Sequence, residues 1–255
     1  MTKDSLCTDA PRMLNLDSVP KRMAIKNLEL DMTCDCNLRC VYCYKRLHHK
    51  VYLSKQTAFD AMVWFLKASS DIKEINVYCM GGEPLLQYEL LKTLVPFTTR
   101  RAFQQGKSVS FSVTTNSTLV NKNVIEFFKK WNIGFHTSVD GIPAVQDNNR
   151  PTQNGGQTSS IISKTIPMIL EYSPATCARA TVLPANVDLM FDSYLYFRTL
   201  GYKSIVMVPG EPLLWDDSSL LKYEKSIRKI AEYWKKEIQN GVNIWCHTFT
   251  PSFKS

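Results

Sequence analysis

Cys36-Asn37-Leu38-Arg39-Cys40-Val41-Tyr42-Cys43 is the most informative stretch of this chain, because it places three thiols within eight residues in a C-x3-C-x2-C pattern. Thiolates are the ligands that iron–sulfur clusters select, and a cubane cluster ordinarily takes four of them. Three thiols therefore predict a cluster in which one iron is open to another ligand. A tetrahedral zinc site is the alternative, since Cys34, His48 and His49 lie near enough in sequence to supply a fourth ligand.

Composition predicts a globular protein of a reducing compartment. The 255 residues suffice for one large domain and do not require two. Eight cysteines without an N-terminal secretory signal argue against a disulfide framework. No apolar run of about 18 residues is present, so no membrane span or membrane partner is expected. We expect a cytoplasmic, low-oxygen setting, because an exposed iron–sulfur cluster needs reducing conditions.

The charge of the chain is basic but dispersed. The net charge is +8, and the densest basic run, over 122–130, has apolar residues interleaved at helical spacing. That pattern indicates a solvated helix face rather than a nucleic-acid site, so we expect no nucleic acid as a partner. A basic balance favours an acidic partner, and a negatively charged electron donor is one candidate.

Strand-like and helix-like segments alternate along the chain, which predicts a parallel sheet with helices outside it. The expected strands cover 23–32, 75–80, 108–115, 133–139, 176–183 and 203–208. The expected helices cover 54–68, 87–105, 121–131, 161–171, 187–200 and 223–240, with Ser54 as an N-cap and a kink or early end at Pro167. Six such units predict an α/β fold, a partial (βα)6 TIM-like barrel, whose functional groups gather at the carboxyl ends of its strands. The polar segment 148–160 is expected to be a mobile, solvent-facing loop.

We expect three regions along the chain. An N-terminal extension covers 1–22, the core barrel covers 23–215, and a C-terminal helix with a tail covers 216–255. The tail ends nine residues after Cys246.

The cysteine spacing resembles the signature of radical S-adenosylmethionine (SAM) enzymes. The resemblance extends to the intervening 37–39 (Asn-Leu-Arg) and to the aromatic Tyr42. It implies that Cys36, Cys40 and Cys43 bind a [4Fe–4S] cluster, and that the amino and carboxylate groups of SAM chelate the fourth iron. It also implies the (βα)6 core, in agreement with the alternation of strands and helices.

Other motifs match this family around the expected SAM site. The tetrapeptide Gly81-Gly82-Glu83-Pro84 resembles the family's GGEP motif, whose backbone and acid contact the amino group of SAM. Glycine permits that close approach because it has no Cβ. The resemblance further implies that Tyr42 lies near the adenine and that Val182 and Leu183 form an apolar wall beside it.

Two later motifs resemble a subgroup that modifies peptides and proteins, including anaerobic sulfatase-maturating enzymes and SPASM-type peptide maturases. Asn116 belongs to a T-N motif, Ser138 and Asp140 belong to an S-x-D-G motif, and Arg150 follows Ser138 by 12 residues. In this subgroup a serine and an arginine at such places hold the SAM carboxylate, which suits the planar fork of arginine. The chain departs from the pattern at Ser117, where the family usually has glycine. The subgroup usually continues with a C-terminal extension whose cysteines bind auxiliary clusters, so the resemblance implies either a truncated extension after Cys246 or a protein that functions with one cluster.

The resemblance implies a function as well. Reductive cleavage of SAM would yield methionine and a 5′-deoxyadenosyl radical, which would abstract hydrogen from a peptide or protein side chain. The expected partners are that substrate and a flavodoxin- or ferredoxin-like electron donor. An activase of a glycyl-radical enzyme is an alternative, because the chain is close to that size, although the S-x-D-G motif and 149–151 (Asn-Arg-Pro) argue against it. A non-catalytic zinc-binding interaction domain is a second alternative. We assign no catalytic acid or base.

Overall fold

A computed structural model describes residues 24–47, 49–210 and 214–246. The predicted N-terminal extension over 1–22 and the tail after Cys246 lie outside these residues. The chain divides into two compact units. The first unit holds the described residues up to Asn37 together with Tyr44–Thr115 and Lys122–Gly134, and the second holds Leu38–Cys43, Asn116–Asn121 and the described residues from Phe135 onward.

The first unit contains, among its described residues, three parallel strands with β2 in the middle: β1 (Asn27–Thr33), β2 (Glu74–Gly81) and β3 (Ser108–Thr115). Its helices are α1 (Lys55–Ala68), α2 (Tyr88–Gln104) and α3 (Lys122–Trp131), with short 3-10 helices at Tyr44–Leu47 and Pro84–Gln87. Alternate residues of β2 are buried, namely Ile75, Val77 and Cys79. Because the strands are parallel, Thr33, Gly81 and Thr115 end them at one edge of this sheet.

Helix α1 begins as predicted, with Ser54 as its N-cap. The Ser54 hydroxyl accepts a hydrogen bond from the Thr57 amide at 3.0 Å, satisfying one of the donors that a helix start leaves unpaired. On the buried side of the helix, Met62, Phe65 and Leu66 pack into the core.

Replacing this cap gives a first prediction. Ser54→Ala should lower the free energy of unfolding by about 1 kcal/mol, because the amide of Thr57 loses its acceptor. Ser54→Asp retains a side-chain acceptor and should stay close to the parent protein. Urea unfolding followed by circular dichroism measures both, and equal stability of the parent protein and Ser54→Ala would contradict the capping role.

The second unit holds, in its described part, four parallel strands in chain order: β4 (Gly134–Ser138), β5 (Cys177–Val182), β6 (Ser204–Pro209) and β7 (Trp245–Cys246). Its helices are α4 (Pro143–Asn149), α5 (Ser159–Tyr172), α6 (Met190–Thr199) and α7 (Asp217–Gln239), with a 3-10 helix at Pro184–Leu189. The apolar faces of α5, α6 and α7 share one core that includes Ile166, Phe197 and Ile230. The short β7 was not among the expected strands.

The helix expected over 161–171 is present, but an early end at Pro167 was wrong. Helix α5 continues through Pro167 to Tyr172. Burial of Ile162, Ile166 and Ile169 along one face of α5 outweighs the backbone hydrogen bond that proline removes.

The segment over 148–160 is not a solvent-facing loop throughout. Asn149 ends α4 and is buried, and Arg150 and Thr158 are buried as well, whereas 153–157 is exposed. The Thr158 hydroxyl donates to the Arg150 carbonyl at 2.8 Å, and the Gln146 amide donates to the Thr158 hydroxyl at 3.1 Å. Polar residues can be buried here because their hydrogen bonds are made within the protein. Among the described helices, none is both long enough and apolar enough to cross a membrane.

Candidate cofactor site

In the first unit, the glycine pair after β2 packs against the residues that lead into the cysteine motif. The Gly82 amide donates to the Thr33 carbonyl at 2.7 Å, and the Glu83 amide donates to the Asp35 carbonyl at 2.9 Å. A Cβ on Gly82 would lie 2.0 Å from the Asp35 carbonyl oxygen, and one on Gly81 would lie 2.4 Å from that of Thr33. Both positions therefore require glycine, and Gly81 also adopts a φ of +136°.

Glu83 and Pro84 are buried where this glycine turn enters the 3-10 helix Pro84–Gln87. The Glu83 carboxylate Oε1 accepts from the Leu85 amide at 3.0 Å and from the Thr115 hydroxyl at 2.8 Å. Pro84 takes the first helical position, where its missing N–H is not needed. The predicted contact between Glu83 and the amino group of SAM stays a prediction, and this geometry fixes the carboxylate beside the end of β3.

Asp35 is a site residue that the sequence reasoning missed. Its Oδ1 accepts from the Cys36 amide at 2.9 Å and lies 3.1 Å from the Lys50 ammonium, and its Oδ2 accepts from the Tyr52 hydroxyl. Burial by itself would raise the pKa of this carboxyl, but the hydrogen bond from Tyr52 and the charge of Lys50 outweigh it and hold the pKa below its usual value. Asp35 thereby fixes the backbone that presents Cys36. In the sequence, its position directly before Cys36 is the feature that could have indicated this role.

In the second unit, the rest of the cysteine motif is fastened to the residues that follow α4. The Arg39 amide donates to the Pro151 carbonyl at 2.8 Å, and the Val41 amide donates to the Asn149 carbonyl at 2.9 Å. A β-bridge also joins Leu38 to Thr152. The segment 38–41 is thus held like an edge strand, and this pairing sets the positions of the thiols in 40–43.

Asp140 lies at the centre of a buried polar network in the same unit. Its Oδ2 accepts from the Tyr42 hydroxyl at 2.8 Å and from the side-chain amide of Asn149 at 3.0 Å. Its Oδ1 accepts from the Thr181 backbone amide at 3.0 Å and pairs with Nη2 of Arg150 at 2.9 Å. The four donors use the full acceptor capacity of an ionised carboxylate.

Arg150 connects this network to a cysteine sulfur. Its Nη1 lies 3.9 Å from Sγ of Cys40, and its guanidinium carbon lies 5.4 Å from the centre of the Tyr42 ring. Burial raises the pKa of the Cys40 thiol, and the positive charge of Arg150 offsets part of that rise. The Nε atom of Arg150 is buried and has no hydrogen-bond partner among the described residues.

The other predicted positions lie at or just after the ends of strands. Ser138 ends β4. Asn116 accepts hydrogen bonds from the amide and hydroxyl of Thr118 at 3.0 and 2.7 Å, and Ser117 has a φ of +68°. Ser117 thus takes the left-handed conformation that glycine, the usual family residue, adopts without strain. Leu183 is buried, and its amide donates to Asn186 at 3.1 Å.

The donor set fits an iron–sulfur cluster with an amino acid ligand. The thiols of Cys40 and Cys43 are free, and Cys36 supplies the third sulfur of the motif. Within the described residues, no three His, Cys, Asp or Glu side chains converge on one point as a single metal ion requires. A cubane cluster does not require this, because each cysteine binds a different iron. His48, one of the residues considered for zinc, lies outside the described residues. The buried Nε of Arg150 suits a ligand carboxylate.

Comparison with known proteins agrees with these features. The profile of the Radical SAM superfamily matches residues 30–195. A serine-type anaerobic sulfatase-maturating enzyme of Klebsiella aerogenes is 25% identical over 243 residues, which cover 84% of this chain and 57% of that enzyme. A probable GTP 3′,8-cyclase of Methanococcus maripaludis is 27% identical over 229 residues, which cover 85% of this chain and 71% of the cyclase.

A solved structure has the same fold. The enzyme anSMEcpe, solved with bound AdoMet and a Cp18Cys peptide, superposes with a TM-score of 0.78 at 19% identity, covering 88% of this chain and 64% of the solved chain. This likeness confirms the predicted α/β fold class of the radical SAM type. The chain spans somewhat more than half the length of the sulfatase-maturating enzymes that it matches. Since the superfamily profile covers most of the chain, the protein belongs to the Radical SAM superfamily, as the cysteine motif predicted.

Proposed function

We propose that this protein is a radical SAM enzyme that abstracts hydrogen from a side chain of a peptide or protein. Cys36, Cys40 and Cys43 would hold a [4Fe–4S] cluster and SAM would be its further ligand. When bound, these groups supply a strong hydrogen-abstracting agent. The observation that carries the proposal is the buried Arg150 guanidinium, which lies 3.9 Å from the Cys40 sulfur and keeps an unpartnered Nε among the described residues.

The residues of the chain have distinct tasks in this proposal. The thiols bind as thiolates, and the positive charge of Arg150 favours the thiolate form of Cys40. The Nε–H of Arg150 would donate to the carboxylate of SAM, and Ser138 would assist it. The turn 81–83 would receive the amino group, with Glu83 as its acceptor. Tyr42, whose hydroxyl is held by Asp140, would present its ring to the adenine, and Leu183 would contribute an apolar surface.

The motifs favour a peptide or protein as the substrate class. The S-x-D-G motif at 138–141 and the Asn-Arg-Pro at 149–151 resemble the peptide-modifying subgroup, and relatives include sulfatase-maturating enzymes. A fold neighbour was solved with a peptide bound. These features favour peptide modification over activation of a glycyl-radical enzyme and over a zinc-binding role. The electron donor in this proposal is an acidic flavodoxin- or ferredoxin-like protein, because a protein with a net charge of +8 would attract an acidic partner. The proposed setting is anaerobic.

Isotope transfer tests this function. The protein is reconstituted anaerobically with iron and sulfide, then incubated with SAM, a reductant and serine- or cysteine-containing peptides deuterated at Cβ. We expect 5′-deoxyadenosine that carries deuterium from the peptide. Undeuterated peptide and GTP are the controls. Formation of 5′-deoxyadenosine that depends on GTP and takes no deuterium from any peptide would overturn the assignment to peptides.

A further inference from the structure

We propose that Asp140 is a positioning residue that holds Arg150 against the sulfur of Cys40, and that Arg150 thereby raises the reduction potential of the cluster in addition to binding SAM. This inference rests on the proposed function, since it assigns roles around the same cluster. The residues involved, 40, 42, 140 and 150, all belong to the second unit.

The ion pair with Asp140 fixes the orientation of the Arg150 guanidinium as well as balancing its charge. The side chains of Arg150 and Asp140 are 9% and 0% exposed, so solvent competes little for either partner. Nη2 of Arg150 contacts Asp140, and Nη1 approaches the sulfur of Cys40. Both terminal nitrogens of the guanidinium are therefore engaged. A planar group that is held at both end nitrogens cannot rotate, and its Nε–H then has a fixed direction.

Asp140 is itself held from three sides. Tyr42 binds it from the cysteine motif, Thr181 from β5, and Asn149 from the end of α4. Asn149 is in turn fixed by Asn186, whose side-chain amide donates to the side-chain oxygen of Asn149 at 2.8 Å. The carboxylate therefore transmits the positions of three separate segments to one guanidinium.

A fixed cation beside a cysteine ligand has an electrostatic consequence. Reduction adds negative charge to a cluster, and a nearby positive charge or N–H donor stabilises the reduced form more than the oxidised form. The guanidinium beside Cys40 should therefore make the reduction potential less negative. If Asp140 no longer held Arg150, this effect and the alignment of Nε for a carboxylate would both weaken.

The test uses Asp140→Asn in the full chain after anaerobic reconstitution. An asparagine presents one acceptor oxygen and an NH2 group to four donors, so Nη2 of Arg150 loses its anionic partner. Loss of the Asp140 charge alone would make the cluster potential less negative, whereas displacement of the guanidinium from Cys40 would make it more negative. We expect the second effect to prevail, because the guanidinium is the group that approaches the Cys40 sulfur. The result should be a more negative cluster potential, measured by electron paramagnetic resonance in potentiometric samples, and about tenfold weaker SAM binding. Asp188→Asn, which breaks the exposed ion pair with Lys222, is the matched control and should leave both quantities unchanged.

A double variant separates positioning from general damage. Asp140→Asn combined with Arg150→Gln removes both charges, so no buried cation is left unpaired and the variant remains measurable if the single one fails to fold. If Asp140 acts on SAM binding through Arg150, the double variant should have the same SAM affinity as Arg150→Gln alone. A wild-type or less negative potential in Asp140→Asn, or additive losses of SAM affinity in the double variant, would overturn the inference. Failure of the unmodified protein to form 5′-deoxyadenosine would instead count against the proposed function.

Discussion

Replacing Cys40 with Ala is expected to abolish the iron–sulfur cluster and, with it, all formation of 5′-deoxyadenosine. The motif contains three cysteines, at 36, 40 and 43, so the loss of one leaves two protein ligands from this motif. Thiolate is the ligand on which such clusters depend, and alanine offers no replacement. The measurements are iron and sulfide content after anaerobic reconstitution, the broad visible absorbance of the cluster, and chromatographic detection of 5′-deoxyadenosine.

Cys177→Ala is the matched control for this change. The thiol of Cys177 is also free, and its burial is similar, with 6% of the residue exposed against 8% for Cys40. It lies at the start of β5, away from the motif in sequence, and should keep both iron and activity. Full cluster content in Cys40→Ala, or equal loss in both variants, would refute the assignment of Cys40 as a ligand.

Gly82→Ala is expected to have the second largest effect. The added Cβ would lie 2.0 Å from the carbonyl oxygen and 2.6 Å from the carbonyl carbon of Asp35, and backbone atoms cannot move aside as a flexible side chain can. Overpacking of this kind typically costs about 1–3 kcal/mol and sometimes more. At this chain length each kcal/mol corresponds to roughly 2–4 °C in the midpoint of thermal unfolding.

The displacement should also reach the cluster site, because Asp35 orders the Cys36 amide through its side chain. We therefore expect poor iron incorporation in Gly82→Ala even at temperatures where the protein remains folded. Gly134→Ala is the control, since its new Cβ would meet Cβ of Ser112 at an ordinary 3.6 Å. A Gly82→Ala protein with the parent's thermal midpoint and iron content would disprove the close approach between the glycine turn and Asp35.

Much of the fold could be read from local patterns. The alternation of apolar residues located strands such as β2 and β3, and a hydroxyl before an apolar stripe located the start of α1. These features depend on residues a few positions apart, which is why one sequence suffices to find them. The local pattern predicted a helix over 161–171 but not whether it would end early at Pro167, because burial against distant residues of the second unit outweighs the local cost of proline.

The candidate site also combines features that local sequence predicts with contacts that arise only when the chain folds. Local motifs predict the kinds of ligand, since three closely spaced thiols suit an iron–sulfur cluster, and a Gly-Gly-Glu turn and an arginine suit an amino acid. The partners of those groups within the protein depend on how the whole chain folds. Asp140 lies 98 residues after Tyr42 and 10 before Arg150, yet it binds both. The S-x-D-G motif singled Asp140 out but did not predict these partners, because the donors that fill its carboxylate come from segments that meet only when the chain folds.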